Sequence, residues 1–131
     1  MKTQTIPSAR RDKASLLQRV RYFYRFFNER DWPRCHAYVD PKLRGKHGQA
    51  EYGRTMDEFF SVHGPLRQMT VVSTNLYPAG AARTDDREFA YVVLSWKDRA
   101  NALHHFRERW VRDGGRWFTR VVGLVPRPAE R

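Results

Sequence analysis

Hydrophobic residues recur with a helical period in the first half of the chain and with a strand period in the second half. Apolar side chains from residue 8 to residue 28 or 29 fall three or four positions apart, which is typical of an amphipathic helix, and Ser8 is a suitable N-cap. Asp31 begins a short second helix, and a third is predicted from about Gln49 to Val62. The apolar stripe of the first helix contains Leu16, Val20, Phe23 and Phe27.

Beyond Pro65 apolar and polar residues alternate, so that this half of the chain predicts β-strands. Residues 42–48 between the two halves are predicted to be irregular or, at most, a short edge strand. Three helices followed by four to five antiparallel strands predict an α+β domain with its helices on one face of the sheet. We expect one domain over residues 8–126, with tails at 1–7 and 127–131. The four long strands are predicted at 66–77, 88–97, 102–112 and 116–125.

Two tight turns set the predicted register of the sheet. Gly114 and Gly115 lie between alternating runs, which is a strong signal for a two-residue hairpin loop. A second two-residue loop is predicted at Arg99 and Ala100, although a three-residue turn at either site would exchange the two faces. The two registers agree on the face that receives the helices: Phe89, Tyr91, Val93, Ser95, His104, Phe106, Glu108, Trp110, Thr119 and Val121.

The opposite face of the predicted sheet keeps several apolar side chains among its arginines. A half-apolar outer face favours a partner, most simply a second copy of the chain. We therefore expect a homodimer. Its contact surface would contain Val92, Leu94, Trp96 and Val122.

Composition excludes several classes of protein. The 131 residues carry a net charge of +11, but the 20 arginines are spread from Arg10 to Arg131 rather than clustered, so nucleic-acid binding is not expected. No apolar run is long enough to span a membrane, and the N-terminus lacks the apolar stretch of a signal peptide. The expected location is the cytoplasm. The single cysteine, Cys35, excludes an intramolecular disulfide.

Four local sequences carry a family resemblance through their order: Val20–Trp32, Val39–Pro41, Phe59–Pro65 and the hairpin Arg109–Trp117. Together they resemble the nuclear transport factor 2-like superfamily, including its SnoaL-like and ketosteroid-isomerase-like branches, over about residues 10–125. The resemblance implies a curved sheet wrapped round a long helix, forming a cone with an internal pocket. It also implies a dimer packed through the outer face of the sheet.

The resemblance does not carry a reaction with it, because this fold hosts isomerases, cyclases, dehydratases, epoxide hydrolases and binding modules. The isomerase-like branch has a hydrogen-bonding tyrosine on its first helix, and that position is Phe23 here. The catalytic aspartate of that branch would fall near His47, where the chain has no carboxylate. The isomerase mechanism is therefore not transferred to this chain.

Glu108 is the main candidate for chemistry. On the predicted inner face it lies between two aromatic residues and opposite Tyr91, so burial would raise its pKa and suit a general acid or base. Tyr91 would orient it and His104 would be a second polar contact. The alternatives are a Glu108 paired by Tyr91 or an arginine, and a His104 hydrogen-bonded across the sheet. The residues expected to line a ligand site, unless they are simply core, are Tyr24, Tyr52, Phe89, Phe106, Trp110 and His36.

No metal or cofactor is expected from the sequence. The five histidines lack the spacing of metal ligands, and the adjacent His104 and His105 point to opposite faces of a strand. Cys35 precedes His36 on a helix, so the two side chains diverge, and a buried apolar cysteine is favoured over a nucleophile. The predicted function is binding of a small, mostly apolar molecule. The alternatives are a metal-free SnoaL-like isomerase, cyclase or hydrolase, and a non-catalytic dimeric interaction module.

Overall fold

The computed structural model describes the backbone of residues 5–122 and the side chains of residues 11–122. It contains four helices and one open, four-stranded antiparallel sheet in which the strands follow one another in chain order, which confirms the α+β class. The helices are α1 (Thr5–Asn28), α2 (Trp32–His36), α3 (Pro41–Arg44) and α4 (Gln49–His63). The strands are β1 (Arg67–Tyr77), β2 (Phe89–Lys97), β3 (Leu103–Asp113) and β4 (Arg116–Thr119).

α1 packs against the sheet through the stripe that its period predicts. Leu16, Val20, Phe23 and Phe27 are all fully buried. The helix begins at Thr5, three residues before the predicted cap at Ser8. It ends at Asn28, whose side chain donates to the carbonyl of Leu66 at 3.1 Å and accepts from its N–H at 2.8 Å. The amide thereby joins the end of α1 to the start of the sheet.

The two short helices each begin at an aspartate followed by an early proline. Asp31 caps α2 by accepting from the N–H of Arg34, as the sequence predicts. Asp40 caps α3 by accepting from the N–H of Lys42 at 3.0 Å. The segment expected to be irregular or an edge strand thus begins with a helical turn, because a capping aspartate and a proline at the first helical position favour one. None of the described helices has the length and apolarity needed to cross a bilayer.

The hairpin between β3 and β4 has the predicted register. Gly114 and Gly115 form the loop with positive φ angles of 59° and 83°, and Trp110 lies opposite Thr119. β4 ends at Thr119, short of the predicted end; the last three residues of the predicted strand, 123–125, lie outside the described residues.

The hairpin between β2 and β3 does not have the predicted register. Lys97 pairs with Leu103, which leaves a five-residue loop, and Ser95 lies opposite His105 instead of His104. Asp98 explains the longer loop, because its carboxylate accepts from the N–H groups of Ala100 and Ala102, both at 2.9 Å. Since strand side chains alternate, this shift of one residue exchanges the two faces of β2.

Because the two faces of β2 are exchanged, the predicted dimer surface differs from the observed outer face of the sheet. Val92, Leu94 and Trp96 face the helices and are fully buried within the single chain, and Val122 is half-buried against the same core. None of the first three is therefore available to a second copy. The homodimer itself remains a prediction, but three of its four proposed contact residues, Val92, Leu94 and Trp96, lie on the inner face instead.

A buried ionic cluster joins α3 to the sheet. The Asp40 side chain is fully buried and accepts two hydrogen bonds from Arg87, both at 2.8 Å, and one from Arg120 at 3.1 Å. Arg87 also binds Asp85 and Asp113. Burial alone would raise the pKa of Asp40, but the hydrogen bonds from Arg87 and Lys42 and the nearby guanidinium charges outweigh it and lower the pKa. This carboxylate is fully satisfied inside the protein.

Candidate functional site

Glu108 lies in the core, on the face of β3 that meets the helices. It is 2% exposed and lies opposite Val92. The same face carries Phe106 and Trp110, as predicted. The neighbouring arginines are on the outer face, where Arg107 and Arg109 each lie over an aromatic ring at 4.3 and 4.4 Å. Strand alternation thus separates the carboxyl group from the two positive charges beside it in the sequence.

Only one oxygen of the Glu108 carboxyl group is paired within the described chain. Oε1 accepts from Nε1 of Trp110 at 3.0 Å, and Oε2 has no hydrogen-bond partner among the described residues. Burial disfavours the charged form and raises the pKa of Glu108 to about 8, against the smaller opposing effect of the Trp110 hydrogen bond. Glu108 is therefore mainly a neutral acid at pH 7, with one oxygen free to form a hydrogen bond.

The same core holds four more buried polar atoms that lack a partner in the described part of the chain. Two are the hydroxyl groups of Tyr24 on α1 and Tyr52 on α4, and two are the indole nitrogens of Trp96 on β2 and Trp117 on β4. Buried polar groups are nearly always paired, so each such atom needs an explanation. The five unpaired groups come from both layers of the fold, and the two indoles can only donate.

A surface pocket of about 220 Å³ lies at one end of the sheet, beside Trp117. Trp117 also belongs to the buried core, so one indole contacts both the pocket and the interior. The pocket is lined by Asp12, Leu76, Tyr77, Pro78, Glu88 and Trp117.

Two residues predicted for the site lie on the wrong face of the sheet. Tyr91 is opposite Arg109 and beneath the Arg107 guanidinium, so it cannot orient Glu108. Phe89 packs with Val111 and Phe118 in a separate outer cluster. Both predictions failed for the reason given above: the longer loop after β2 exchanges the faces of that strand.

His104 is inward-facing but does not join Glu108. Four residues along a strand separate their backbones by about 13 Å. Its Nε2 lies 2.7 Å from Oδ2 of Asp98, and its ring stacks on Trp96 with centroids 4.5 Å apart. His104 therefore belongs to a different polar cluster, near the start of β3.

The remaining predicted wall residues lie in or against the core. Tyr24, Tyr52 and Trp110 are buried, and Phe106 is half-buried against Trp96. His36 is also buried. Its Nε2 lies 2.7 Å from the carbonyl of His47, and its ring contacts Tyr52 edge-on. These contacts leave His36 with a structural role, whereas the hydroxyl of Tyr52 next to it stays unpaired among residues 11–122.

Cys35 has the predicted buried, apolar surroundings. It is fully buried, and burial raises its pKa to about 12, so the thiol stays protonated at neutral pH. Its Sγ lies 3.7 Å from the carbonyl of Phe23. A nucleophilic role for Cys35 is therefore not supported.

Asp98 gathers two histidines that are far apart in the sequence. Its Oδ2 lies 2.7 Å from Nε2 of His104 and 3.8 Å from Nδ1 of His63, the last residue of α4. The hydrogen bond from His104, followed by those from the backbone of Ala102 and Ala100, lowers the pKa of Asp98 to about 2. Sequence spacing missed this group because its members come from a helix, a loop and a strand.

Comparison with protein-family models finds no match for the chain, and comparison with curated proteins finds none either. Function must therefore be argued from the site.

Proposed function

We propose that the protein binds a small, mostly apolar molecule between its helices and its sheet, with the neutral carboxyl group of Glu108 as the main polar contact. The observation that carries this proposal is the buried Glu108, whose Oε2 is unpaired in the described chain. The cone and internal pocket implied by the nuclear transport factor 2-like resemblance belong to this proposal. Ligand sites of this kind combine apolar walls with a few placed polar groups.

The polar groups also indicate the chemistry of the ligand. Two indole N–H groups, two phenol hydroxyls and a protonated carboxyl group are all able to donate a hydrogen bond. A buried group that stays unpaired costs about 1–3 kcal/mol. A ligand with an acceptor oxygen, such as a ketone, ester or ether, would give the protonated carboxyl group of Glu108 the partner that the described residues do not supply. We therefore expect a compact apolar molecule with carbonyl or ether oxygens.

A matched pair of ligands tests this proposal by thermal shift. Indanone and indane share a shape but only the ketone can accept a hydrogen bond. At a concentration of 100 Kd, a ligand that binds the folded state alone should raise Tm by about 5–10 °C. We expect indanone, or a larger aromatic ketone of the same kind, to stabilise the protein more than its hydrocarbon.

Variants connect that difference to Glu108. In Glu108→Leu the advantage of the ketone over the hydrocarbon should shrink, whereas in Glu58→Gln, an exposed control on α4, it should persist. If neither series of ligands raises Tm in any of the proteins, interior binding is refuted.

A second candidate function is metal-free proton transfer by Glu108 as general acid or base. The observation that favours it is the pKa of about 8, since a catalytic group works best when its pKa lies near the working pH. Binding and catalysis are separated by Glu108→Gln, which keeps the shape and hydrogen-bonding capacity of the side chain. Turnover of a bound ketone that disappears in this variant while binding persists would indicate an enzyme, and binding without turnover in both proteins a binding module.

A further inference from the structure

We infer that His63, Asp98 and His104 form a binding site for a divalent transition-metal cation of the Zn²⁺ type. The three side chains offer one donor atom each, and these atoms all lie within 4.8 Å of one another. They come from the end of α4, the loop after β2 and the second residue of β3. The inference does not rest on the interior ligand, because His104 lies near the start of β3 and Glu108 at its middle, four residues further along.

The donor separations are close to those that a metal ion requires. Zinc bonds to histidine nitrogen and carboxylate oxygen are about 2.0–2.2 Å, so tetrahedral donors lie about 3.3–3.6 Å apart. The observed separations from Oδ2 of Asp98 are 2.7 Å to His104 and 3.8 Å to His63. Each of these two pairs would change by less than about 1 Å to reach that geometry. The donors of the two imidazoles, which lie within 4.8 Å of each other, would have to approach by at most about 1.5 Å.

The carboxylate is held in the orientation that a ligand needs. Oδ1 of Asp98 accepts from the N–H groups of Ala100 and Ala102, which leaves Oδ2 directed at the two imidazoles. The backbone N–H of Arg99 donates to the carbonyl of His63 at 2.9 Å, so the same loop also fixes the end of α4. Hydrogen bonds that orient a ligand in this way strengthen metal binding.

The imidazole rings are positioned by aromatic neighbours and remain accessible. His104 stacks on Trp96, and the ring of His63 lies 4.6 Å from that of Phe59. The side chains of His63 and His104 are 17% and 19% exposed. An ion can therefore reach the donors, and water can complete its coordination.

The donor set selects the class of ion. Two imidazole nitrogens and one carboxylate suit Zn²⁺, Co²⁺, Ni²⁺ or Fe²⁺, whereas Mg²⁺ and Ca²⁺ prefer oxygen ligands alone. Two arginines lie nearby: Arg67 donates to the carbonyl of Asp98, and Arg99 donates to that of Phe60. Their positive charges oppose any cation, so selectivity comes from the nitrogen donors and not from the overall field.

Titration of the chelator-treated 131-residue chain with Co²⁺ tests the site through the visible absorption of the bound ion. We expect saturation at one ion per chain, displacement by Zn²⁺ and no displacement by Mg²⁺. His63→Gln and His104→Gln should each weaken binding more than about tenfold, a loss expected when a metal site is disturbed. The matched control is His105→Gln, the next residue on β3, which is exposed and faces the other side of the sheet; it should bind as the wild type does.

A second measurement uses the unaltered protein, in case a variant does not fold. Zn²⁺ should shift the imidazole NMR signals of His63 and His104 and leave those of His36, His47 and His105 unchanged. Absence of saturable binding, or an equal loss of affinity in His105→Gln, would overturn the inference. The three residues would then be a hydrogen-bonded group that only holds the loop.

Discussion

Asp40 and Glu108 are both buried carboxyl groups, but their surroundings give them opposite properties. Asp40 is fully buried and receives hydrogen bonds from two arginines and a backbone N–H, which outweigh burial and lower its pKa. Glu108 is equally enclosed, but its paired oxygen has one neutral donor, Trp110, and its pKa rises to about 8. Burial is common to both sites, so the partners decide the charge.

The comparison separates a structural carboxylate from a candidate functional one. Asp40 uses its hydrogen-bonding capacity within the chain and holds α3 against the sheet. Glu108 keeps an oxygen that the described chain does not use. A protein rarely keeps a buried polar group in this condition without a reason, and ligand binding is one such reason.

The largest expected effect comes from removing the charge that compensates Asp40. Arg87→Met leaves Asp40 and Asp85 buried without their main partner, so we expect the free energy of unfolding to fall by about 3–5 kcal/mol. Urea denaturation at pH 7 measures the loss. The control is Arg112→Met, because Arg112 is more exposed in its ion pairs with Asp12 and Glu88 and should lose only about 1 kcal/mol or less. Equal losses in the two variants would mean that the Asp40 cluster has no special role.

An effect of similar size and opposite sign is expected when Glu108 can no longer ionise. The folded pKa of Glu108 is about 8, above its ordinary value of 4.5, so the folded chain holds this proton more tightly than the unfolded chain. Its contribution to stability is fully present below pH 4.5 and is lost as the pH rises through about 8. Glu108→Gln removes this loss. The variant should gain on the wild type as the pH rises from 4.5, by up to about 5 kcal/mol well above pH 8.

The unfolding curves must be compared at several pH values, because the test is how the stability difference between Glu108→Gln and the wild type changes with pH. Glu58→Gln, on the exposed side of α4, should show no such pH-dependent gain. The Asp40 cluster has the reverse dependence: its lowered pKa gives stability that is present above the unfolded pKa and lost as the pH falls through the folded one. A constant difference between Glu108→Gln and the wild type from pH 4 to pH 9 would contradict an elevated pKa.

The two hairpins differ in how well the sequence predicted their register. At Gly114 and Gly115 the residues permit one tight loop, and the register of β3 and β4 was predicted correctly. After β2 no residue pair forces a two-residue loop, and the side chain of Asp98 stabilises five residues instead. The inner face of β3 was therefore found from the sequence, whereas Tyr91 and Trp96 were placed on the wrong faces.

The two candidate sites likewise differ in how well the sequence predicted them. Glu108 was identified because strand alternation alone places it between Phe106 and Trp110. The partners of His104 were missed because they depend on where the end of α4 meets the loop after β2, which no local pattern encodes. An aspartate directly after a strand and six residues before a histidine was the available signal, since such an aspartate often binds the turn that follows it.

The most direct measurement is an NMR titration of the Glu108 side chain. The Cδ signal of Glu108 in uniformly ¹³C-labelled protein is identified by its absence from the spectrum of Glu108→Gln. A buried carboxyl group with a single neutral donor should titrate with a midpoint near pH 8. A midpoint near 4.5, the ordinary value for glutamate, would show that Glu108 is charged and solvated at neutral pH, and would contradict the neutral interior acid on which the proposed ligand site depends.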